Sequence, residues 1–445
     1  MAVTIEHLQQ YTASSGGRLY AGAVGGGLAL AEPQHGLLVL GPPRSGKTTT
    51  LAVPNTLAAP GPVIVTSTKP DILSATLGGR RRMGRCWLLD PSGATRPPPG
   101  VELIRWSPVA AARTWDESLV VARSMTGAAR PAGRFGESAH WTERSEALLA
   151  PLLHGAYLRG GSIEDVLSWV LRHDLSTAAG VMSAHGLRLA RDVLDGIEAT
   201  DPREQSGIWS SAAGVLAAYR SEAVLDRSTP VNFDPSTLIS SSDTVYVCAP
   251  ARHQELVAPI VVAFLDQARA GAYGRTEPGP PLTLVLDEMA NIAPIPDLPA
   301  LVSEGGSQGV LTMGCLQDLS QARNRWGPAA DGFLSLFGAK VVLPGIGDIR
   351  TLDLVSQLGG EVEVASASVS QGPWWSAGRG GPTWSWSGHR QRRLPVERVQ
   401  QQPPGSALFL SGAAPPASVG LPPWWAVAPF APTTERRVPG PGLSR

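Results

Sequence analysis

Gly41-Pro42-Pro43-Arg44-Ser45-Gly46-Lys47-Thr48 fits the spacing G-x-x-x-x-G-K-[ST] of a phosphate-binding loop. The apolar run from His35 to Leu40 before it reads as a buried strand, and Thr48 to Val53 after it reads as the first turn of a helix. Strand, glycine loop and helix is the context this motif requires. In that context backbone N–H groups converge on a phosphate, and the helix N-terminus adds positive partial charge. Gly41 and Gly46 permit backbone shapes closed to other residues. Pro42, Arg44, Ser45 and Thr49 complete the expected nucleotide-contacting set. Lys47 is expected to reach the β- and γ-phosphates of ATP, and the Thr48 hydroxyl to hold Mg²⁺. The chain has 50 glycines, so a chance match is the competing reading; the flanking strand argues against it.

A second apolar strand, Leu282 to Leu286, ends in Asp287-Glu288. In a phosphate-loop sheet this pair faces the phosphates. Asp287 is expected to hold Mg²⁺ and Glu288 to polarise the attacking water. Vicinal acids divide metal and base work between two side chains. Alone, the pair would read equally as a strand end with two solvated acids; beside Lys47 the catalytic reading wins. Gln317 follows the next strand, Leu311 to Leu316, where an amide can sense the γ-phosphate and report hydrolysis. Asp71, His140, Trp141 and Arg350 have no motif of their own and read as structural.

Bulk properties narrow the class. A chain of 445 residues suits two domains, or one with an insertion, and 43% hydrophobic content supports a sizeable core. Formal net charge is zero, so no global field draws in nucleic acid or membrane. Cys86, Cys248 and Cys315 are odd in number, far apart and each in an apolar run. That pattern excludes a disulfide framework and fits buried thiols. The longest apolar windows, Ala21 to Ala31 and Leu256 to Leu265, fall short of the roughly 18 residues of a membrane helix. No signal-peptide pattern opens the chain, so the expectation is a cytoplasmic protein.

Strands alternate with helices at both ends of the chain, which predicts an α/β fold with a doubly wound, mostly parallel sheet. Residues 1–107 hold the phosphate loop, strands at Val63 to Thr66 and Arg85 to Leu89, and the basic run Arg80-Arg81-Arg82. That run is either a solvated loop or a phosphate-backbone contact. Residues 108–235 show helical periodicity over Ser118 to Met125, Trp141 to Leu158, Ile163 to Leu171, Leu187 to Ile197 and Gly207 to Tyr219. This is expected to be an all-helical insertion. Residues 236–365 return to strand and helix and carry the acid pair and Gln317. Residues 366–445 are expected to form a low-complexity loop, a closing strand near Ala407 to Leu410 and a proline-rich tail. Trp374, Trp375, Trp384 and Trp386 precede the run His389 to Arg393, a pairing that suits base stacking as well as a plain edge-strand loop.

These residues resemble a known family, the type IV secretion coupling proteins of the TraG/TraD kind, which are conjugative DNA-transfer ATPases. The likeness runs from about 36 to 412. It rests on Gly41 to Thr48, Val65 to Asp71, Leu286 to Ile292, Leu316 to Gln321 with Trp326-Gly327, the helix at Thr351 to Gly360 and the strand at Gly405 to Gly412. The resemblance implies a RecA-like motor that forms a hexameric ring, moves DNA through a central channel and binds ATP and Mg²⁺. It implies that the helical insertion faces the relaxosome or selects substrate. Its partners are expected to be DNA, a relaxase or effector proteins, and an envelope-spanning channel at the inner face of the membrane.

Two features depart from the family pattern. No N-terminal membrane anchor is read here, which implies a soluble form or docking onto a separate membrane protein. Glu304 to Gly309 lacks the arginine that relatives often carry for the neighbouring subunit's nucleotide. Gln308 cannot supply that charge, and Arg323, Arg325 and Arg350 are the candidate substitutes. Where such an arginine operates, its loss costs about 10³-fold or more in rate. Two other functions fit the same motifs: a DNA-pumping ring ATPase of the FtsK/HerA kind, and a non-catalytic nucleotide-binding adaptor for DNA–protein cargo.

Overall fold

The apolar runs on either side of the phosphate loop become neighbours in one sheet. In the computed structural model, which describes residues 4–129, 137–370 and 383–431, the strands follow chain order. The first half gives β1 (Tyr20–Val24), β2 (Gly27–Leu30), β3 (Leu37–Leu40), β4 (Val63–Ser67), β5 (Cys86–Leu89) and β6 (Glu102–Leu103). After the helical segment come β7 (Thr244–Cys248), β8 (Leu282–Leu286), β9 (Val310–Leu316) and β10 (Ala339–Val342). The C-terminal part adds β11 (Glu361–Ser370), β12 (Thr383–Arg392), β13 (Ser406–Ser411) and β14 (Ala417–Gly420).

Twelve of these form one sheet in the order β2-β1-β14-β13-β10-β3-β9-β8-β4-β7-β5-β6. From β10 to β6 every pairing is parallel. The remaining four strands join antiparallel along one edge. Residues of β3 are buried on both faces: Leu38 and Leu40 enter one core, Leu37 and Val39 the other. Burial on both sides is why the parallel strands read as continuous apolar runs. The mostly parallel, doubly wound sheet expected from the sequence is present.

Between β6 and β7 the chain is helical. The elements include Trp115–Ala129, Glu137–Leu158, Ile163–Arg172, Ser176–Ala184, Arg188–Glu198 and Pro202–Val215. Their apolar faces and one face of the sheet share a single buried cluster. The Ile163–Arg172 helix opens with a capping box, Ser162 with Asp165, which satisfies two otherwise orphaned N–H groups.

Two expectations change. The apolar window at Leu256 to Leu265 is part of a longer helix, Gln254–Tyr273. By length and composition, Ala251–Tyr273 passes as a membrane span, with 61% of its apolar window buried. It packs against the Trp115–Ala129 helix and buries Val257, Val261, Phe264 and Leu265, so here its apolarity serves the core.

The second change concerns Arg80, which is neither a solvated loop residue nor a DNA contact. It is 0% exposed at the end of the Asp71–Arg80 helix. Its guanidinium donates to Thr244 Oγ1, Ala59 O, Gly61 O and Ser242 O at 2.7, 2.8, 2.7 and 3.2 Å. Burial pulls its pKa down to about 10. The five-donor fork ties three chain segments together beside β4 and β7. Replacing Arg80 by Met strands those acceptors and is expected to lower folding stability by about 3 kcal/mol, read by urea unfolding. Unchanged stability with weakened DNA binding would restore the DNA-contact reading.

β11 and β12 pair only with each other, from Glu361↔Arg392 to Ser370↔Thr383. Trp384 and Trp386 stand on one face of this ribbon, 60% and 71% exposed. Arg392 is drawn to its base by Asp353, at 2.5 Å. Trp374, Trp375 and the tail beyond residue 431 lie outside the described residues.

Candidate functional site

The loop after β3 is shaped by its glycines and one arginine. Gly46 has φ +93° and Arg44 φ +62°, so the chain reverses over two left-handed residues before the helix starts. A Cβ on Gly41 would lie 2.9 Å from both Leu343 Cβ and Ser45 Oγ; only glycine passes there. The Gly41 N–H donates to Leu316 O at 3.1 Å, which ties the loop to the end of β9. The segment after Lys47 is a π-helical stretch, Thr48–Ala52, that continues as the α-helix Val53–Ala58. Asn55 clamps it to the sheet by pairing both its amide groups with the Tyr20 backbone at 2.8 Å.

The distant acid pair closes on this loop. Thr48 Oγ1 donates to Asp287 Oδ2 at 2.9 Å across 239 positions of sequence. Thr66 Oγ1, at the end of β4, donates to Asp287 O at 2.7 Å and holds the end of β8. Asp287 is 7% exposed. Burial pushes its carboxyl up to about 6; neighbouring Glu288 and Asp71 push the same way, while the Thr48 bond and Lys47 oppose them. A buried acid held up in this way is a ready ligand for a cation.

Lys47 folds back and donates to Gly41 O at 2.5 Å and Pro42 O at 2.9 Å, so the ammonium sits over the loop mouth. Glu288 has φ 55° and ψ 45°, a left-handed conformation that a glutamate adopts at a cost of order 1–3 kcal/mol. Its carboxylate accepts from Asn291 Nδ2 at 3.3 Å. Gln317 follows Leu316 directly, and its backbone N–H donates to Gln321 Oε1 at 3.0 Å. β9 lies between β3 and β8, so Gln317 leaves the sheet between the phosphate loop and the acid pair. Thr49 is half-buried beside Thr48.

The loop fits a phosphate. Ser45 Oγ is buried with no hydrogen-bond partner, an orphan that a phosphate oxygen would satisfy. Among the described residues no cluster of three or more His, Cys, Asp or Glu could hold a metal alone. A cation at Thr48 and Asp287 would therefore complete its shell from phosphate and water, as Mg²⁺ does in such sites.

Residues 281–404 match the family described as the TraM recognition site of TraD and TraG. Over that segment the chain is similar to TraD and TraG. The unbound bacterial conjugative coupling protein TrwB, in its deltaN70 form, superposes with a TM-score of 0.70 at 19% identity, over 94% of this chain and 92% of that one. TrwB with ADP and Mg²⁺ gives 0.67 at 20%, over 95% and 93%. VirB4 of Thermoanaerobacter pseudethanolicus gives 0.50 at 12%, over 93% and 97%. At these identities the superpositions show a shared fold, that of RecA-like phosphate-loop proteins. No curated protein matches the chain.

The three candidate arginines are differently placed. Arg323 is paired with Asp348 at 2.7 Å and Asp331 at 3.7 Å. Arg325 donates to Gly127 O and Ala128 O. Arg350 pairs with Asp331 at 2.6 Å with its side chain 60% exposed. Thr66 and Asn291 lie in stretches that carry the resemblance, but the sequence gives neither a role in the site. Thr66 lies at the end of a strand adjacent to that of Asp287, a placement only the strand order reveals. Asn291 follows Glu288 by three positions, the spacing of one helical turn.

Proposed function

We propose that the chain is a Mg²⁺-dependent ATPase that moves DNA as a coupling protein, delivering a relaxase–DNA complex or effector protein to a type IV secretion channel. The observation that carries this reading is the Thr48–Asp287 bond, which joins phosphate loop and acid pair in one site. The TraM recognition match supports relaxosome proteins as partners. The TrwB likeness supports a DNA-transfer role, and that protein's complexes with ADP and Mg²⁺ and with a non-hydrolysable ATP analogue support ATP as substrate. A homo-hexameric ring and a cytoplasmic position against the inner membrane, beside a membrane-anchored channel protein, complete the proposal.

The residues divide the work. Backbone N–H groups from Arg44 to Thr48, with the Ser45 hydroxyl, cradle the phosphates, and Gly41, Pro42, Arg44 and Gly46 set that backbone. Lys47 exchanges its two loop carbonyls for phosphate oxygens. Thr48 and Asp287 hold Mg²⁺, which when bound neutralises charge on the phosphates. Glu288 takes a proton from water as the water oxygen attacks the γ-phosphorus; the bond to the ADP oxygen breaks, and inorganic phosphate and ADP leave. Gln317 senses the presence of the γ-phosphate.

One observation favours a second reading, an adaptor that binds nucleotide without turnover: Arg323 and Arg325 are already engaged within the chain. Phosphate release by the purified protein decides between them. The motor reading expects DNA to raise the rate at least about tenfold, with DNA affinity falling by about 10³ or more between 50 and 200 mM salt if six or more phosphates are held. Mg²⁺–nucleotide binding without phosphate release leaves the adaptor. A rate indifferent to DNA removes the motor.

A further inference from the structure

At the far edge of the parallel block, a groove of about 450 Å³ is lined by Gly93, Arg105, Ala223, Asp226, Arg227 and Thr229, among others. It lies outside the carboxyl ends of β5 and β6, where open parallel sheets place ligands. The strand order separates β5 from β3 by five spacings, about 24 Å along the sheet. This groove is therefore distinct from the phosphate loop.

Its chemistry is that of an anion site. Arg105 and Arg227 are both half-buried, and neither guanidinium carries an ion pair or hydrogen bond among the described residues. Half-buried guanidinium groups without a carboxylate are uncommon, because removal from water is offset only by a counter-charge. The backbone beneath them is fixed. The Arg105 N–H donates to Asn232 Oδ1 at 2.8 Å, and Asn232 N donates back to Arg105 O at 3.1 Å. Trp106 N donates to Arg227 O at 3.0 Å, which laces the two arginine segments together.

Opposite them, the Asp90 carboxylate is consumed by its own loop, accepting from Ser92 N, Ser92 Oγ and Thr95 N at 2.9, 2.6 and 2.6 Å. Asp90 makes no ion pair with either arginine among the described residues. The loop presents Gly93 at φ +68°, a conformation that favours glycine, and its Cα side faces Arg227, where an added Cβ would meet Nε at an ordinary contact distance of 3.6 Å. Asp226 is the one carboxylate in the groove lining, and it is exposed. Two guanidiniums against one carboxylate leave a net positive groove with two planar donor forks, the geometry that matches phosphate oxygens.

We infer that this groove is a second phosphoryl-binding site, in which Arg105 and Arg227 clamp one phosphate group and Thr229 borders it. The phosphate belongs either to a free phosphate-bearing ligand or to a nucleic-acid backbone. The inference does not depend on hydrolysis at the first site.

The test uses the full chain with a non-hydrolysable ATP analogue filling the phosphate loop. Binding of labelled pyrophosphate and of a 20-nucleotide DNA strand is measured by equilibrium dialysis. A further site is expected, weakened at least about tenfold by Arg105→Gln or Arg227→Gln and only partly restored by Lys, which keeps charge but loses the fork. Asp226→Asn changes an exposed group, leaves folding intact and is expected to tighten binding severalfold. If both probes respond, the phosphate is that of nucleic acid; if only pyrophosphate responds, the ligand is a free phosphate compound. No binding beyond the loop, or affinities that ignore all these substitutions, overturns the inference.

Discussion

Lys47→Ala is expected to reduce ATP turnover by about 10³-fold or more, the scale seen when a charge-stabilising donor leaves a phosphoryl or acyl transfer site. The ammonium now bridges Gly41 O and Pro42 O, two carbonyls at the loop mouth that attract no phosphate themselves. Its charge is the element of the loop that an N–H dipole cannot replace. Folding should change little, by about 1 kcal/mol, since water can reach the Pro42 carbonyl once the side chain is gone. Thermal unfolding without nucleotide then separates a site defect from a folding defect. Turnover within tenfold of the parent, in a protein that melts normally, would remove the phosphate loop from the mechanism.

The second large effect is expected from Glu288→Gln. Glutamine keeps the shape and can hold the same backbone, but it takes no proton from water. Turnover should fall by about 10² to 10⁴, the usual contribution of a positioned base. Nucleotide affinity should stay within a few-fold, because the proposed function gives the cation to Thr48 and Asp287, which are hydrogen-bonded to each other, and the phosphate contact to Lys47. The signature is low kcat with near-normal binding, the opposite of Lys47→Ala, where both suffer. The backbone at Glu288 is left-handed, and Asn291 steadies its carboxylate. Equal losses of binding and rate would reassign Glu288 to the metal.

Much of this site is readable in the chain because its parts are local. Gly41 to Thr48 needs only a strand before and a helix after, and both show as periodicity. Asp287-Glu288 needs only the apolar run ahead of it. The inner parallel strands are legible for the same reason: β3, β4, β5, β7, β8 and β9 are buried along their whole length, whereas the two-residue edge strand β6 is not buried and leaves no apolar run. What depends on distant partners is not legible. Arg80 looks like its exposed neighbour Arg82 until the carbonyls of Ala59, Gly61 and Ser242 are brought to it. Thr66 looks like any strand end until β8 lies beside β4. The helix Ile5–Ser14 buries only Leu8 and Thr12, which leaves too faint a stripe for a periodicity reading. The strand Ala417–Gly420 is short and half exposed, and its place comes from pairing with β13 and β1.

One joint between sheet and helices has mechanical weight. The last turn of the Trp115–Ala129 helix meets two segments at once. A side chain on Gly127 would collide with the Pro296 ring, while Arg325 grips the carbonyls of Gly127 and Ala128. Trp326 Nε1 donates to Ile295 O at 2.7 Å, which fastens the two segments to each other. Pro296 lies eight positions beyond Glu288, and Arg325 eight beyond Gln317. The segments that leave the sheet beyond Glu288 and beyond Gln317 thus end on the same half-turn of helix. The helical part is therefore riveted to the sheet's two outgoing arms at a single point.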